Sequence, residues 1–87
     1  MKRIEIYTTM FCPFCSRAKS LLKKKGISFE EIDVTVDAPR RKEMSKRSEG
    51  ATSVPQIFVD GEHIGDCDFI HRLDASGNLD QILGVKS

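Results

Sequence analysis

Two cysteines with two residues between them, Cys12 and Cys15, are the side chains best suited to chemistry in this chain. A thiolate attacks disulfide sulfur, and a second thiol nearby can displace whatever the first has captured. Pro13 lies between them and a helical pattern follows. Proline suits the first helical position, where its missing N–H costs nothing. Cys12 is thereby expected at the helix N-cap, or within a residue of it. A sulfur at that point faces the free N–H groups of Phe14 and Cys15 and the positive end of the helix dipole, which favour a thiolate over a thiol. Cys15 lies one turn further in, near enough to close a small ring with Cys12 but less open to solvent. The asymmetry makes Cys12 the nucleophile and Cys15 the resolving thiol.

The other readings of these cysteines are structural or metallic. Two cysteines can simply line a core face, but the strand before, the proline between and the helix after argue for redox work. Cys12, Cys15, Cys67 and His71 can be written as a Cys₃His zinc set. Against that, the two halves stand far apart in sequence, and the first opens a helix rather than a knuckle turn.

The positioning elements follow from periodicity. Arg3 to Thr8 alternates β-branched or aromatic residues with polar ones, a strand signal. The helix from Pro13 carries Phe14, Ala18, Leu21 and Leu22 on one face, and Lys23-Lys24-Lys25 before Gly26 closes it. A second strand is expected within Ile27–Val36, with Phe29, Ile32 and Val34 as apolar contributors. Asp37-Ala38-Pro39 opens a polar helix to about Ser48, with Glu43 and Arg47 spaced i,i+4 and Gly50 after it. Gln56 to Val59 reads as a strand, Asp60-Gly61 as a hairpin turn and Glu62 to Ile64 as the return strand. A third helix is expected from Asp68 to Leu73 or beyond, and a short helical piece from Leu79 to Leu83. The order βαβαββα predicts an α/β domain: four strands in a mixed sheet, the first two parallel, with helices on both faces. Four strands with Cys-x-x-Cys opening the first helix is the layout of thioredoxin-like redox domains.

Composition narrows the class. The 87 residues make one domain, 1–87, with a thin core. Fourteen Lys and Arg against thirteen Asp and Glu leave a formal charge of +1, with no general attraction to nucleic acid or an anionic membrane. No apolar run approaches a membrane span. Met1-Lys2-Arg3-Ile4-Glu5-Ile6 lacks the apolar stretch of a signal peptide. An odd count of three cysteines does not suit a fully paired disulfide scaffold. The expected location is therefore a reducing cytoplasm, where a close cysteine pair is catalytic or metal-binding rather than structural.

Thr52-Ser53-Val54-Pro55 is the second informative stretch. A cis Val54–Pro55 bond would turn the Val54 backbone toward the redox site, where an extended peptide could pair with it. On local sequence alone, a trans proline starting an edge strand is the expectation.

Glu5-Ile6-Tyr7, Cys12-Pro13-Phe14-Cys15, Arg17-Ala18-Lys19, Val54-Pro55-Gln56-Ile57-Phe58 and His63-Ile64-Gly65-Asp66-Cys67-Asp68 together resemble the glutaredoxin family over nearly the whole chain. The likeness is greatest to small bacterial dithiol glutaredoxins. It implies the thioredoxin fold and a glutathione-dependent oxidoreductase acting on protein–glutathione mixed disulfides and protein disulfides. Glutathione would be a co-substrate, with no permanently bound cofactor. Electrons would come ultimately from NADPH through glutathione reductase, and a monomer is expected.

The resemblance also implies a glutathione site. Val54 would pair with the ligand's cysteine backbone, and Pro55 would be cis. The Cys67 and Asp68 N–H groups would hold the γ-glutamyl carboxylate, the Asp68 side chain the α-amino group, and Phe14 would lie against the ligand. Thr9 stands where many members carry Lys, which leaves Arg41 or Gln56 for the glycyl carboxylate. Phe14 stands where Tyr is commoner, and Asp66 where Gly is frequent, adding negative charge near an anionic ligand. Weaker glutathione affinity than the family norm is the expected consequence.

The remaining features carry plainer readings. The Cys67 sulfur is expected to pack beside the site; glutathionylation or dimer formation through it is the alternative. His63 and His71 are read as a hairpin residue and a solvent-facing helical residue without partners. Lys23-Lys24-Lys25 and Arg40-Arg41-Lys42 are read as solvated surface with at most weak steering of anionic glutathione. Met10 and Phe11 form an apolar rim that would help dock protein substrates. Two other functional classes stand open: a redoxin reduced by thioredoxin reductase, and a metal carrier holding zinc or an iron–sulfur cluster bridged through Cys12 and glutathione. Pro13 and Cys15 count against the cluster.

Overall fold

The computed structural model describes residues 2–84. Met1 of the amino-terminal hexapeptide and positions 85–87 of the expected 1–87 domain lie outside the described residues. The elements run β1 (Ile4–Thr8), α1 (Pro13–Lys24), β2 (Glu30–Asp33), α2 (Ala38–Arg47), β3 (Gln56–Val59), β4 (Glu62–Gly65), α3 (Cys67–Ala75) and α4 (Leu79–Leu83). The four strands form one mixed sheet in the order β2-β1-β3-β4. β1 pairs parallel with β2 and antiparallel with β3, and β3 pairs antiparallel with β4. This is the expected thioredoxin-type architecture.

Two apolar layers sandwich the sheet. On one face Ile4, Ile6, Ile57 and Val59 pack with Ala18, Leu21 and Leu22 of α1, Cys67 and Ile70 of α3, and Leu79 and Leu83 of α4. On the other, Tyr7, Ile32, Val34 and Phe58 pack with Met44 of α2. Alternate residues of β1 and β3 point to opposite faces, so both central strands are buried throughout. Helix α1, which Cys12 precedes, is thereby fixed along its buried face against a two-sided sheet.

Several details differ from the sequence reading. β2 is four residues long; the Val34 N–H still bonds the Thr8 carbonyl at 2.8 Å, and the chain then turns toward α2. Phe29 lies just before the strand, and Val36 is 96% exposed. The buried face of α1 is Cys15, Ala18, Leu21 and Leu22. Phe14, assigned to that face by its period, is 58% exposed. Arg47 does not pair with Glu43; it reaches the sheet instead and bonds Glu5 and Tyr7. Lys25 is not solvated surface: its Nζ lies 2.6 Å from both Asp74 and Asp80, tying the end of α1 to α3 and α4.

Candidate active site

Cys12 is the N-cap of α1, in extended backbone, and its sulfur accepts from the Cys15 N–H at 3.1 Å. Pro13 takes the first helical position. The helix therefore presents a free amide to the first sulfur, as its end must. Cys12 is partly exposed, Cys15 and Cys67 are buried, and all three are free thiols. Phe11, immediately before Cys12, adopts φ +55° and is 97% exposed, and Met10 is exposed beside it.

Cys15 is held differently. Burial, followed by its contact with the Cys12 sulfur, pushes its thiol up to about 12. Cys15 is thus a neutral thiol near neutrality, while the sulfur with the amide contact is the accessible one. Burial also pushes the Cys67 thiol up, with Asp66 and Asp68 adding to the effect and Arg17 opposing it.

The Val54–Pro55 bond is cis. The local preference for a trans bond is overridden by tertiary context, which buries Pro55 at the head of β3. The Val54 carbonyl lies 3.9 Å from the Cys12 sulfur, at the long end of a sulfur hydrogen bond. Val54 and Pro55 line a groove of about 360 Å³ together with Phe14, Ser53, Asp66, Cys67 and Asp68. One wall is therefore the α1 turn, another the loop entering β3, and the third the start of α3.

That start differs from expectation by a residue. α3 begins at Cys67 and Asp66 is its N-cap, the side chain accepting from the Phe69 N–H at 3.0 Å. The charge added by Asp66 is thus partly taken up by its own helix end. Asp68 in the first turn is exposed and lies 3.6 Å from Arg72.

A glutaredoxin family model matches residues 4–64. The chain belongs to the glutaredoxin family. It is 54% identical over 83 residues to Glutaredoxin 3 of Escherichia coli K12, covering 95% of this chain and 99% of that one. To the glutaredoxin of Pseudomonas aeruginosa it is 43% identical over 85 residues, covering 98% and 100%. The solution structure of the Brucella melitensis glutaredoxin matches with a TM-score of 0.82 at 43% identity, over 93% of this chain and 87% of that one. A buckwheat glutaredoxin–glutathione complex shares the fold, with a TM-score of 0.86 at 24% identity over 99% and 83%. As a glutaredoxin, the chain is an enzyme of the glutathione–disulfide oxidoreductase class, with thiol–disulfide exchange as its chemistry.

Within this glutaredoxin the other residues singled out by sequence are dispersed. Thr9 lines a separate cavity of about 550 Å³ with Met10, Cys12, Cys15, Lys19, Glu31 and Asp33 among others. Arg41 is exposed on α2, its Nη2 donating to the Thr52 carbonyl at 3.0 Å. Gln56 is buried; its amide donates to the Ser53 carbonyl at 3.0 Å and its Oε1 lies 2.6 Å from His63 Nε2. His63 thus has a partner, contrary to its sequence reading, and its ring also packs on Phe58. His71 is not solvent-facing: it is partly buried and its Nε2 is enclosed without a hydrogen bond. Ser53 is a groove residue not selected from sequence, and Asp66, read there as a charge near the ligand and not as a helix cap, also lines the groove. Asp before Cys67-Asp68-Phe69 was a legible N-cap signal for the second. Among the described residues, no group of three His, Cys, Asp or Glu side chains is gathered to hold a metal ion, and no helix is long and apolar enough to cross a membrane.

Proposed function

We propose that this glutaredoxin reduces protein–glutathione mixed disulfides and protein disulfides at the expense of glutathione, with Cys12 as nucleophile and Cys15 as resolving thiol. The observation that carries the reading is the Cys12 sulfur at a helix N-cap, 3.1 Å from the Cys15 amide and beside the groove of Val54, Pro55, Cys67 and Asp68. A sulfur anion there is met by a backbone dipole and reachable by an incoming disulfide.

In the glutathione route, Cys12 thiolate attacks the glutathione sulfur of a mixed disulfide. The target leaves as a thiolate that takes a proton, and Cys12 carries glutathione. A glutathione thiolate then attacks that glutathione sulfur, forming oxidised glutathione and restoring Cys12. In the protein route, Cys12 captures one target sulfur and Cys15 displaces the target, closing the Cys12–Cys15 disulfide.

Glutathione would lie extended in the groove. Its cysteine backbone would pair with Val54, and its γ-glutamyl carboxylate would meet the Cys67 and Asp68 N–H groups at the start of α3. Asp68 would take its ammonium, and Phe14 would cover one side. Thr9 offers no cation for the glycyl carboxylate, and Arg41 and Gln56 are the remaining candidates. Cytoplasmic action as a single-domain monomer, with glutathione reductase and NADPH upstream, completes the proposal.

The test is a glutathione-coupled mixed-disulfide assay on wild type and two variants. Cys12→Ser should lose activity by a factor of about a thousand or more. Cys15→Ser should keep deglutathionylation within about threefold and lose reduction of protein disulfides. Loss of deglutathionylation in Cys15→Ser with retention in Cys12→Ser would reverse the roles.

A further inference from the structure

The resolving thiol poses a charge problem that the nucleophile does not. Cys15 is 2% exposed. Its attack on a Cys12 mixed disulfide requires loss of its proton, and a buried thiolate needs a compensating charge. Cys12 has its own donor in the Cys15 amide.

One cation borders the space around Cys15. Lys19 stands i,i+4 from Cys15 on α1, so both side chains share a helical face. Both line the cavity of about 550 Å³ that also includes Cys12, Glu31 and Asp33, and Lys19 is the sole cation among its described lining residues. Lys19 is about 6 Å along the helix axis from Cys15 but about 10 Å from Cys12. Its ammonium is anchored: Nζ lies 2.9 Å from Glu31 Oε2, and Thr8 Oγ1 donates to the same oxygen at 2.8 Å. Thr8 is 1% exposed in β1. Two strands thus hold a lysine against the cavity wall instead of letting it extend into solvent.

We propose that Lys19, positioned by Glu31 and Thr8, stabilises the negative charge that develops on Cys15 during the resolving step. The proposal rests on the dithiol route given above. In that step the Cys15 S–H bond breaks and the Cys15–Cys12 bond forms. The Cys12–target bond breaks, and its electron pair leaves on the target sulfur. The Cys15 proton ends on that departing sulfur, so the target is reduced to a thiol and the two enzyme cysteines are oxidised. Lys19 keeps its proton throughout and supplies field alone. Burial raises the Cys15 thiol most; the Thr9 backbone opposes that rise, and Lys19, the charged group that does so, opposes it to a smaller extent.

Stopped-flow reaction with dithiobis(nitrobenzoate) separates the two sulfurs. Cys12 attack releases one coloured thiolate and forms a mixed disulfide; Cys15 attack releases the second. Lys19→Met should slow the second phase about three- to tenfold and leave the first within about twofold. Lys19→Arg, which keeps the charge and can still pair with Glu31, should restore most of the second phase. A second phase unchanged in Lys19→Met overturns the proposal, as does an equal slowing of both phases, or an Arg variant as slow as the Met variant. Wild type lacking any first phase overturns the Cys12 assignment itself, and the proposal with it.

Discussion

The amide nitrogen of Cys15 lies 3.1 Å from the sulfur of Cys12. In the proposed cycle one residue therefore serves the reaction twice: its backbone supports the attacking sulfur and its side chain later displaces what that sulfur has bound. The two thiols differ because a helix end exposes its first amides while its next turn faces the core. Cys15 shares the buried face of α1 with Ala18, Leu21 and Leu22.

The burial of Cys15 carries a pH signature. Its thiol is pushed from an ordinary 9.0 to about 12, principally by burial. Between those values the unfolded chain releases this proton and the folded chain keeps it. Stability from the neutral thiol is thus complete below pH 9.0 and is lost as pH rises toward about 12. Chemical denaturation under reducing conditions at about pH 8 and about pH 10.5 should show wild type losing more stability over that interval than Cys15→Ser. Equal losses would show that Cys15 ionises alike in both states.

Arg47 supports the opposite face. Its Nη2 lies 3.0 Å from Glu5 Oε1, its Nη1 donates to the Tyr7 hydroxyl at 2.7 Å, and its guanidinium carbon lies 4.2 Å from the Phe58 ring centre. The Glu5 side chain is only 8% exposed. Arg47→Met should cost about 2–3 kcal/mol by leaving Glu5 enclosed without its main partner. Adding Glu5→Gln should recover part of that loss. Denaturation midpoints of the two single variants and the double variant check both statements, and full additivity would contradict them.

Gly65 sets the entry to α3. It has φ +152°, and a Cβ there would lie 2.6 Å from Phe69 Cδ2 and 2.9 Å from Phe69 Cβ. Phe69 is the residue whose N–H the Asp66 cap receives. Gly65→Ala should destabilise the fold by about 1–3 kcal/mol and displace Asp66, Cys67 and Asp68 from the groove. Its KM for a glutathionylated substrate should rise more than its kcat falls. A variant with wild-type melting and KM would show that the turn tolerates the methyl group.

The legible parts of this molecule were those with local causes. Pro13 after Cys12 marks a helix start, Asp60-Gly61 marks a hairpin, and alternation marks β1; each sits where its local chemistry demands. What sequence spacing missed depended on distant partners. Arg47 has Glu43 one turn away, yet a buried carboxylate and two rings across the sheet offer more than an exposed i,i+4 pair. Phe14 fits the apolar period of α1, but Cys15 occupies the core edge of the first turn and leaves Phe14 at the groove. The cis Val54–Pro55 bond was implied by family resemblance and opposed by local preference. Nothing in the local sequence shows that the Gln56 amide bonds Ser53 and His63.

In the proposed cycle everything turns on the Cys12 sulfur, at the amide end of α1, being the thiol that reacts first. Mass-resolved iodoacetamide labelling of the reduced native protein at about pH 7 tests it most directly. Cys12 should be carbamidomethylated well before Cys15 and Cys67, and faster than a free cysteine in an unstructured peptide. A Cys12 that labels no faster than that peptide, or no sooner than its two buried neighbours, would contradict the account.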